Sequence, residues 1–210
     1  MARMRGFAGR MAAALLAAAC LLANAWAGEA SRCEHPACLK TARHQPYVEP
    51  ELSGLRTVEI DGFAVKVPPA ARQIKLSGRT LYLIYRDGAV LALGTATSPP
   101  VTGGAPTSIT AAQLPEIVFL HSATDQEPRA EADRALWRFA INLKPYFFEG
   151  ADVAFVTQHG KTRYFLSNST AQGFSGRALV TKEGISHSYL QIDAKNMDFR
   201  RFVSIVLSTR

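Results

Sequence analysis

Four turns of the form X-Gly, each between segments in which apolar and polar residues alternate, constrain this chain more than any other feature. They lie at Asp61-Gly62, Asp87-Gly88, His159-Gly160 and Glu183-Gly184. Glycine accepts the positive φ that a tight turn requires, so each pair predicts a β-hairpin. Strands joined by such short turns are antiparallel. The pattern therefore predicts an antiparallel sheet of about six to eight strands.

Two segments follow a helical period instead. Apolar residues in Ala130–Lys144 recur at three- and four-residue intervals, which predicts an amphipathic helix of about four turns. The same spacing in Asp198–Ser208 predicts a closing helix, with Asn196 or Asp198 as its N-cap. A shorter helix is expected over Ser108–Leu114. Strands in two groups, with one helix between them and another at the end, predict an α+β fold.

The first 27 residues have the organisation of an export signal. A basic region contains three arginines, Met11–Ala23 is apolar, and Ala25-Trp26-Ala27 supplies the small residues that a signal peptidase reads. We therefore expect a periplasmic or secreted protein that begins at Gly28, in which no mature segment spans a membrane. A minority alternative is lipid anchoring at Cys20, which follows a loose lipobox.

Residues 28–55 form an irregular, proline-interrupted arm, and residues 56–210 form the single α+β domain. Two cysteines, Cys33 and Cys38, lie in the arm. A small disulfide loop is the expected state in an oxidising compartment. Metal or redox chemistry is the alternative, because His35 lies between the two cysteines, although the spacing matches neither a CxxC motif nor a zinc knuckle. We expect no metal and no cofactor.

The net charge argues against nucleic acid as a partner. The formal charge of +7 falls to +4 when the leader, with its three arginines and no acid, is removed. The remaining lysines and arginines are dispersed rather than grouped into a block that could follow a phosphate backbone. We expect an envelope protein as the partner.

The run Phe63-Ala64-Val65-Lys66-Val67-Pro68 closes an early hairpin, a middle helix precedes a β-meander, and another helix follows the last strand. In this motif and this order of elements, over about residues 57–208, the chain resembles the PsbP-like proteins, a family that comprises extrinsic subunits of photosystem II and bacterial relatives. The resemblance implies an α/β/α sandwich and, for the bacterial relatives, an exported adaptor or accessory role. It implies no catalytic residue.

A search for catalytic groups yields two histidines, and we assign neither of them a catalytic role. His187 lies in Ile185–Ile192, which is predicted to be a strand, and a polar pair with Tyr164 or Thr162 across a neighbouring strand is the expected role. His121 follows an apolar run, where a buried or capping histidine is expected. A hydrolase or envelope-modifying enzyme that uses His187 or His121 is the alternative function, and a small-ligand carrier is another.

Two segments are candidate binding sites for a partner. The loop at residues 95–107 is rich in proline, glycine, serine and threonine and contains Pro99, Pro100 and Val101. Pro145 is expected to end the middle helix, and three adjacent aromatic residues follow it: Tyr146, Phe147 and Phe148. An irregular segment cannot turn three adjacent rings into one core, so a ring left on the surface would mark a partner site. The alternative, which is the more expected one, is that the rings close the open end of the sheet. The sequence thus predicts a non-catalytic interaction module.

Overall fold

The computed structural model describes residues 32–101 and 105–210, which form an α+β fold of ten strands and four α-helices. The strands are β1 (Arg43–His44), β2 (Arg56–Ile60), β3 (Phe63–Val67), β4 (Gln73–Ser77), β5 (Thr80–Ile84), β6 (Val90–Ala96), β7 (Val153–His159), β8 (Thr162–Ser169), β9 (Ser175–Lys182) and β10 (Tyr189–Lys195). The helices are α1 (Leu114–Leu120), α2 (Glu131–Asn142), α3 (Lys144–Phe148) and α4 (Phe199–Leu207). None of these helices is long and apolar enough to cross a membrane.

Eight of the strands form one sheet in the order β1-β7-β8-β9-β10-β6-β5-β4. All of its pairs are antiparallel except β1 with β7, which are parallel. The four predicted hairpins are present, but the first of them, β2–β3, forms a separate two-stranded sheet. The strand β4 was not predicted. It ends at Ser77, and the further two-residue turn Gly78-Arg79 leads into β5.

The hairpin β2–β3 and the helix α4 cover one face of the large sheet, which we call the hairpin side. Alternate residues of β5, β6, β8, β9 and β10 face them and form one apolar core. The predicted C-terminal helix is confirmed, and its N-cap is Asp198, whose carboxylate accepts a hydrogen bond from the Arg201 amide at 3.1 Å. The position of α4 depends on Gly176 of β9, because a Cβ there would lie 2.7 Å from the ring of Phe202.

The helices α1, α2 and α3 cover the opposite face of the sheet, which we call the helix side. They pack mainly over β7, β8 and β9 and bury a second core around Phe119, Leu136 and Phe165. The middle helix is shorter than expected, since it ends at Asn142 and α3 begins at Lys144. Pro145 does not end a helix; it occupies the first turn of α3, where a missing amide hydrogen costs nothing.

The short helix expected over Ser108–Leu114 is displaced toward the C-terminus. A 3-10 turn at Ala111–Gln113 leads into α1, whose first turn contains Pro115. The buried side chain of Lys144 holds the other end of α1, where its Nζ donates to the carbonyls of Val118 at 2.6 Å and His121 at 2.8 Å. These carbonyls have no intrahelical partner because the helix ends there, so the ammonium replaces the missing backbone donors.

The expected disulfide between Cys33 and Cys38 is present. His35 accepts a hydrogen bond from the Ala37 amide at 3.1 Å and so caps the 3-10 turn Pro36–Leu39. The described part of the arm packs on the domain, because Ala37 and Cys38 are buried in the helix-side core and β1 joins the edge of the sheet. The export signal and Cys20 lie outside the described residues.

Candidate functional site

The strand β4 is one edge of the large sheet, and it pairs with β5 on its inner side. Ile74 lies opposite Leu83 and Leu76 lies opposite Leu81, so both aliphatic side chains point to the hairpin side. The intervening Lys75 lies opposite Tyr82 and points to the helix side. The strand therefore presents an apolar face, a cationic face and a free edge.

Every residue of β4 is exposed. Ile74 is 66% exposed and Leu76 is 75% exposed, whereas Leu83, which lies opposite Ile74, is 4% exposed. An alternating pattern in an antiparallel strand normally indicates that one face is buried. Here that apolar face is exposed to solvent, at the edge where proteins usually place protection against pairing with another chain. β4 therefore has the properties of a docking strand.

The segment 71–86, which contains β4 and β5, has four cationic side chains and no acidic one: Arg72, Lys75, Arg79 and Arg86. Arg79 pairs with Asp61 at 2.7 Å. Hydrogen bonds from Thr95 and Arg79 hold the pKa of the Asp61 carboxyl below its usual value. Within residues 32–101 and 105–210, no carboxylate lies within ion-pair distance of the other three cations. The β4 edge is thus a basic surface.

Two of the three residues of the predicted aromatic site are buried, and Tyr146 is half-buried. Tyr146, Phe147 and Phe148 belong to the helix α3 rather than to an irregular segment. Phe147 and Phe148 are each 2% exposed and pack against Phe119, with ring centroids 5.2 and 5.3 Å away. The short helix turns these two adjacent rings onto one core, while the third ring, that of Tyr146, remains half-buried. We keep neither phenylalanine in the proposed interface.

Tyr146 points into the protein and anchors α3 to the sheet. Its hydroxyl donates to Asp193 Oδ1 at 2.7 Å, and the side-chain amide of Gln191 donates to Oδ2 at 2.7 Å. Arg177 lies over the Tyr146 ring and donates to its backbone carbonyl. Burial raises the pKa of Asp193 and the pKa of Tyr146. The hydroxyl of Tyr146 is thus engaged within the fold, which favours a structural role.

The predicted binding loop is held at both described ends. Val101 and Ile109 pack against the helix-side core, Pro99 is half-buried and Pro100 is exposed. The buried carboxylate of Asp133 accepts hydrogen bonds from the backbone and side chain of Ser108, and the hydrogen bonds of Ser108 and Thr107 lower its pKa to about 2. Binding by Pro99, Pro100 and Val101 stays a prediction, and residues 102–104 lie outside the described part of the chain.

His187 lies in the connection between β9 and β10, because β10 begins only at Tyr189. The prediction that it belongs to a strand is therefore wrong. The turn at Glu183-Gly184 is followed by four further residues before pairing resumes, which leaves His187 exposed beside the Asp61 turn. His121 is the C-cap of α1, as one of its expected roles required, and its Nδ1 lies 3.2 Å from Asp125 Oδ2.

The remaining histidines contact neighbouring residues of the fold. His159 stacks on Tyr47 with ring centroids 4.2 Å apart, and His44 lies in β1. In the described ranges, no three histidine, cysteine, aspartate or glutamate side chains come together in a group that could hold a metal ion.

The sequence matches no protein-family model and no curated protein. A comparison of folds finds the Ran-binding protein Mog1p of Saccharomyces cerevisiae, whose crystal structure was determined at 1.9 Å resolution. The two chains are 9% identical, and the match covers 74% of this chain and 94% of Mog1p with a TM-score of 0.34. A similarity of this size carries no conclusion about function.

The sequence contains a local signal for β4. Gln73–Ser77 alternates polar and apolar residues and ends at Ser77-Gly78, as the recognised hairpins do. Alternation alone predicts that one face is buried, so it cannot identify a strand whose apolar face remains in solvent. The exposure of Ile74 and Leu76 depends on the order of the strands, which no local pattern specifies.

Proposed function

We propose that this chain is an exported, non-catalytic accessory module that recognises an envelope protein by adding an extended segment of that partner to β4. The observation that carries the proposal is the complete exposure of this edge strand with two aliphatic side chains on one face. An unpaired strand edge offers backbone donors and acceptors for another strand, and the aliphatic side chains supply apolar contact area.

Three further features support the proposal. The leader over residues 1–27 directs a chain to the envelope, and the disulfide suits an oxidising compartment. The order of elements shared with PsbP-like proteins fits an accessory role, and we infer a relationship to that family. His121 contacts Asp125 and His159 stacks on Tyr47, so each of these two histidines has a partner within the fold, which favours a binding role over hydrolysis.

Replacement of Leu76 by aspartate should abolish partner binding while the fold is retained. The side chain is 75% exposed, so its loss removes little from the core, whereas a carboxylate in the docked interface loses the apolar contact. We expect about a tenfold or larger loss of affinity, because burial of a leucine contributes about 1.5–3 kcal/mol. The measurement is recovery of the crosslinked partner from cell envelopes by the wild-type protein and by L76D, after circular dichroism has shown equal melting temperatures.

Val48→Asp is the matched control, because Val48 is 68% exposed and lies in the N-terminal arm rather than on β4. V48D should recover as much partner as the wild-type protein does. Equal recovery by L76D and the wild-type protein would remove β4 from the interface and would overturn the proposed function.

Export predicts a defined N-terminus for the mature protein. Protein isolated from the periplasmic fraction should begin at Gly28, because signal peptidase cleaves after Ala27. Edman sequencing together with intact mass checks this cleavage site. A chain that begins at Cys20 with the added mass of a lipid would establish the anchored alternative, and an unprocessed chain in the cytoplasmic fraction would contradict export.

A further inference from the structure

The turn between β4 and β5 determines which backbone groups of β4 point outward. Ser77 and Thr80 are cross-strand partners on either side of the two-residue turn Gly78-Arg79, so they exchange backbone hydrogen bonds with each other. Hydrogen-bonded and non-hydrogen-bonded pairs alternate along an antiparallel ladder. The amides and carbonyls of Ile74 and Leu76 therefore point away from β5, toward the edge where an added strand would lie.

The side chains of β4 then specify what an added strand must carry. A residue paired with Ile74 or Leu76 has its side chain on the hairpin side, next to exposed aliphatic groups that extend the row begun by Leu83 and Leu81. A residue paired with Lys75 has its side chain on the helix side, next to an exposed ammonium. Cross-strand neighbours of opposite charge stabilise a pair of strands, and like charges destabilise it.

The positive charge around β4 also favours a partner strand that carries an acidic residue. Arg72 and Arg86 are exposed near the start of β4, and among the described residues no carboxylate lies within ion-pair distance of either. Such a field attracts an acidic segment and accelerates its association. A second copy of this chain is disfavoured, because antiparallel pairing of two β4 strands about their centres would place Lys75 opposite Lys75.

We propose that β4 accepts an extended, acidic polypeptide segment with the pattern apolar-acidic-apolar, in which the carboxylate lies beside Lys75 and the apolar side chains lie beside Ile74 and Leu76. This inference rests on the proposed function and adds the chemistry of the partner. The bound segment forms the ninth strand of the sheet and supplies the carboxylate that the β4 edge lacks.

The probe is the peptide Ser-Thr-Val-Glu-Val-Thr-Ser, compared with a peptide that has lysine in place of glutamate. Each is titrated into the purified ¹⁵N-labelled protein and followed by two-dimensional NMR. The glutamate peptide should shift the amide signals of Ile74 and Leu76. The lysine peptide should bind about fivefold more weakly, since a cross-strand charge pair contributes about 0.2–1 kcal/mol.

Lys75→Glu should reverse the preference for the two peptides. Lys161→Glu is the matched control, because Lys161 is as exposed and lies in the turn between β7 and β8, away from β4 in the order of strands. K161E should retain the wild-type preference. A glutamate peptide that is N-methylated at its valines should bind neither the wild-type protein nor K161E, because it lacks the amides that strand addition requires.

The other outcomes distinguish the proposed function, which is strand addition at β4, from the further inference that the added strand is acidic. Equal binding of the two peptides at β4 would overturn the charge inference and leave strand addition intact. Failure of the glutamate peptide to shift the β4 amide signals would also overturn the inference that the partner is acidic. Partner recovery by L76D would then be the remaining test of the proposed function. Concentration-dependent dimerisation through β4, or binding to phosphatidylglycerol vesicles in place of the peptide, would identify a different occupant and would equally overturn the inference.

Discussion

Gly176→Ala should destabilise the protein by about 2 kcal/mol, although alanine is normally the better residue in a strand. The new Cβ would lie 2.7 Å from two ring atoms of Phe202, and this ring is completely buried between α4 and β9. Either the ring or the helix must move, and both are held by the hairpin-side core. The melting temperature should fall by about 4–8 °C, as measured by differential scanning calorimetry.

Phe202→Leu provides the control for this mechanism. The smaller side chain leaves room for the Cβ, so the double variant G176A/F202L should be more stable than the sum of the two single effects predicts. If the two effects simply add, or if G176A alone leaves the melting temperature unchanged, the close approach of α4 to β9 does not limit the fold.

Lys144→Met should cost about 2–3 kcal/mol, because it removes the donor from the buried carbonyl of Val118 and the part-buried carbonyl of His121. Methionine has a similar length and fills the space, so the loss reports hydrogen bonding rather than a cavity. Chemical denaturation monitored by fluorescence measures the change. An unaltered free energy of unfolding would mean that the carbonyls of Val118 and His121 find other donors.

We expect the ionisation of Lys144 to make the free energy of unfolding depend on pH. Burial lowers the pKa of Lys144 from 10.5 to about 8, so between about pH 8 and pH 10 the unfolded chain binds more protons than the folded protein. The free energy of unfolding should then rise with pH, by at most about 1.4 kcal/mol per pH unit. K144M lacks this group and serves as the control, and its stability should not show this rise. A rise of equal size in K144M would assign it to other groups.

The elements predicted most accurately depend on neighbouring residues. The hairpin at Asp61-Gly62 and the helix over Phe199–Leu207 with its Asp198 cap are correct because a turn glycine, a capping carboxylate and a helical period act within a few residues. The disulfide is correct for a similar reason, since only five positions separate its cysteines. The boundary predicted at Pro145 is wrong because proline both ends and begins helices, and the sequence around it does not distinguish the two.

The candidate site was not predictable in the same way. The aromatic residues after Pro145 are inside because α3 lies against Phe119, a contact between residues 28 and 29 positions apart in the chain. The position of His187 outside β10 depends on where that strand starts to pair with β6 and β9. Each of these outcomes depends on which distant segments are in contact, and a stretch of about ten residues does not specify such contacts.

Short-range chemistry suffices to predict the antiparallel hairpins, the two amphipathic helices and the small disulfide loop, and it gives the leader the features of an export signal. The identity of the strand at the edge of the sheet depends instead on long-range packing. The pattern of Gln73–Ser77 resembles that of a half-buried strand, and it is the order β10-β6-β5-β4 that leaves Ile74 and Leu76 in solvent. Strand order is set by the packing of both cores, so it cannot be predicted from the sequence of one local segment.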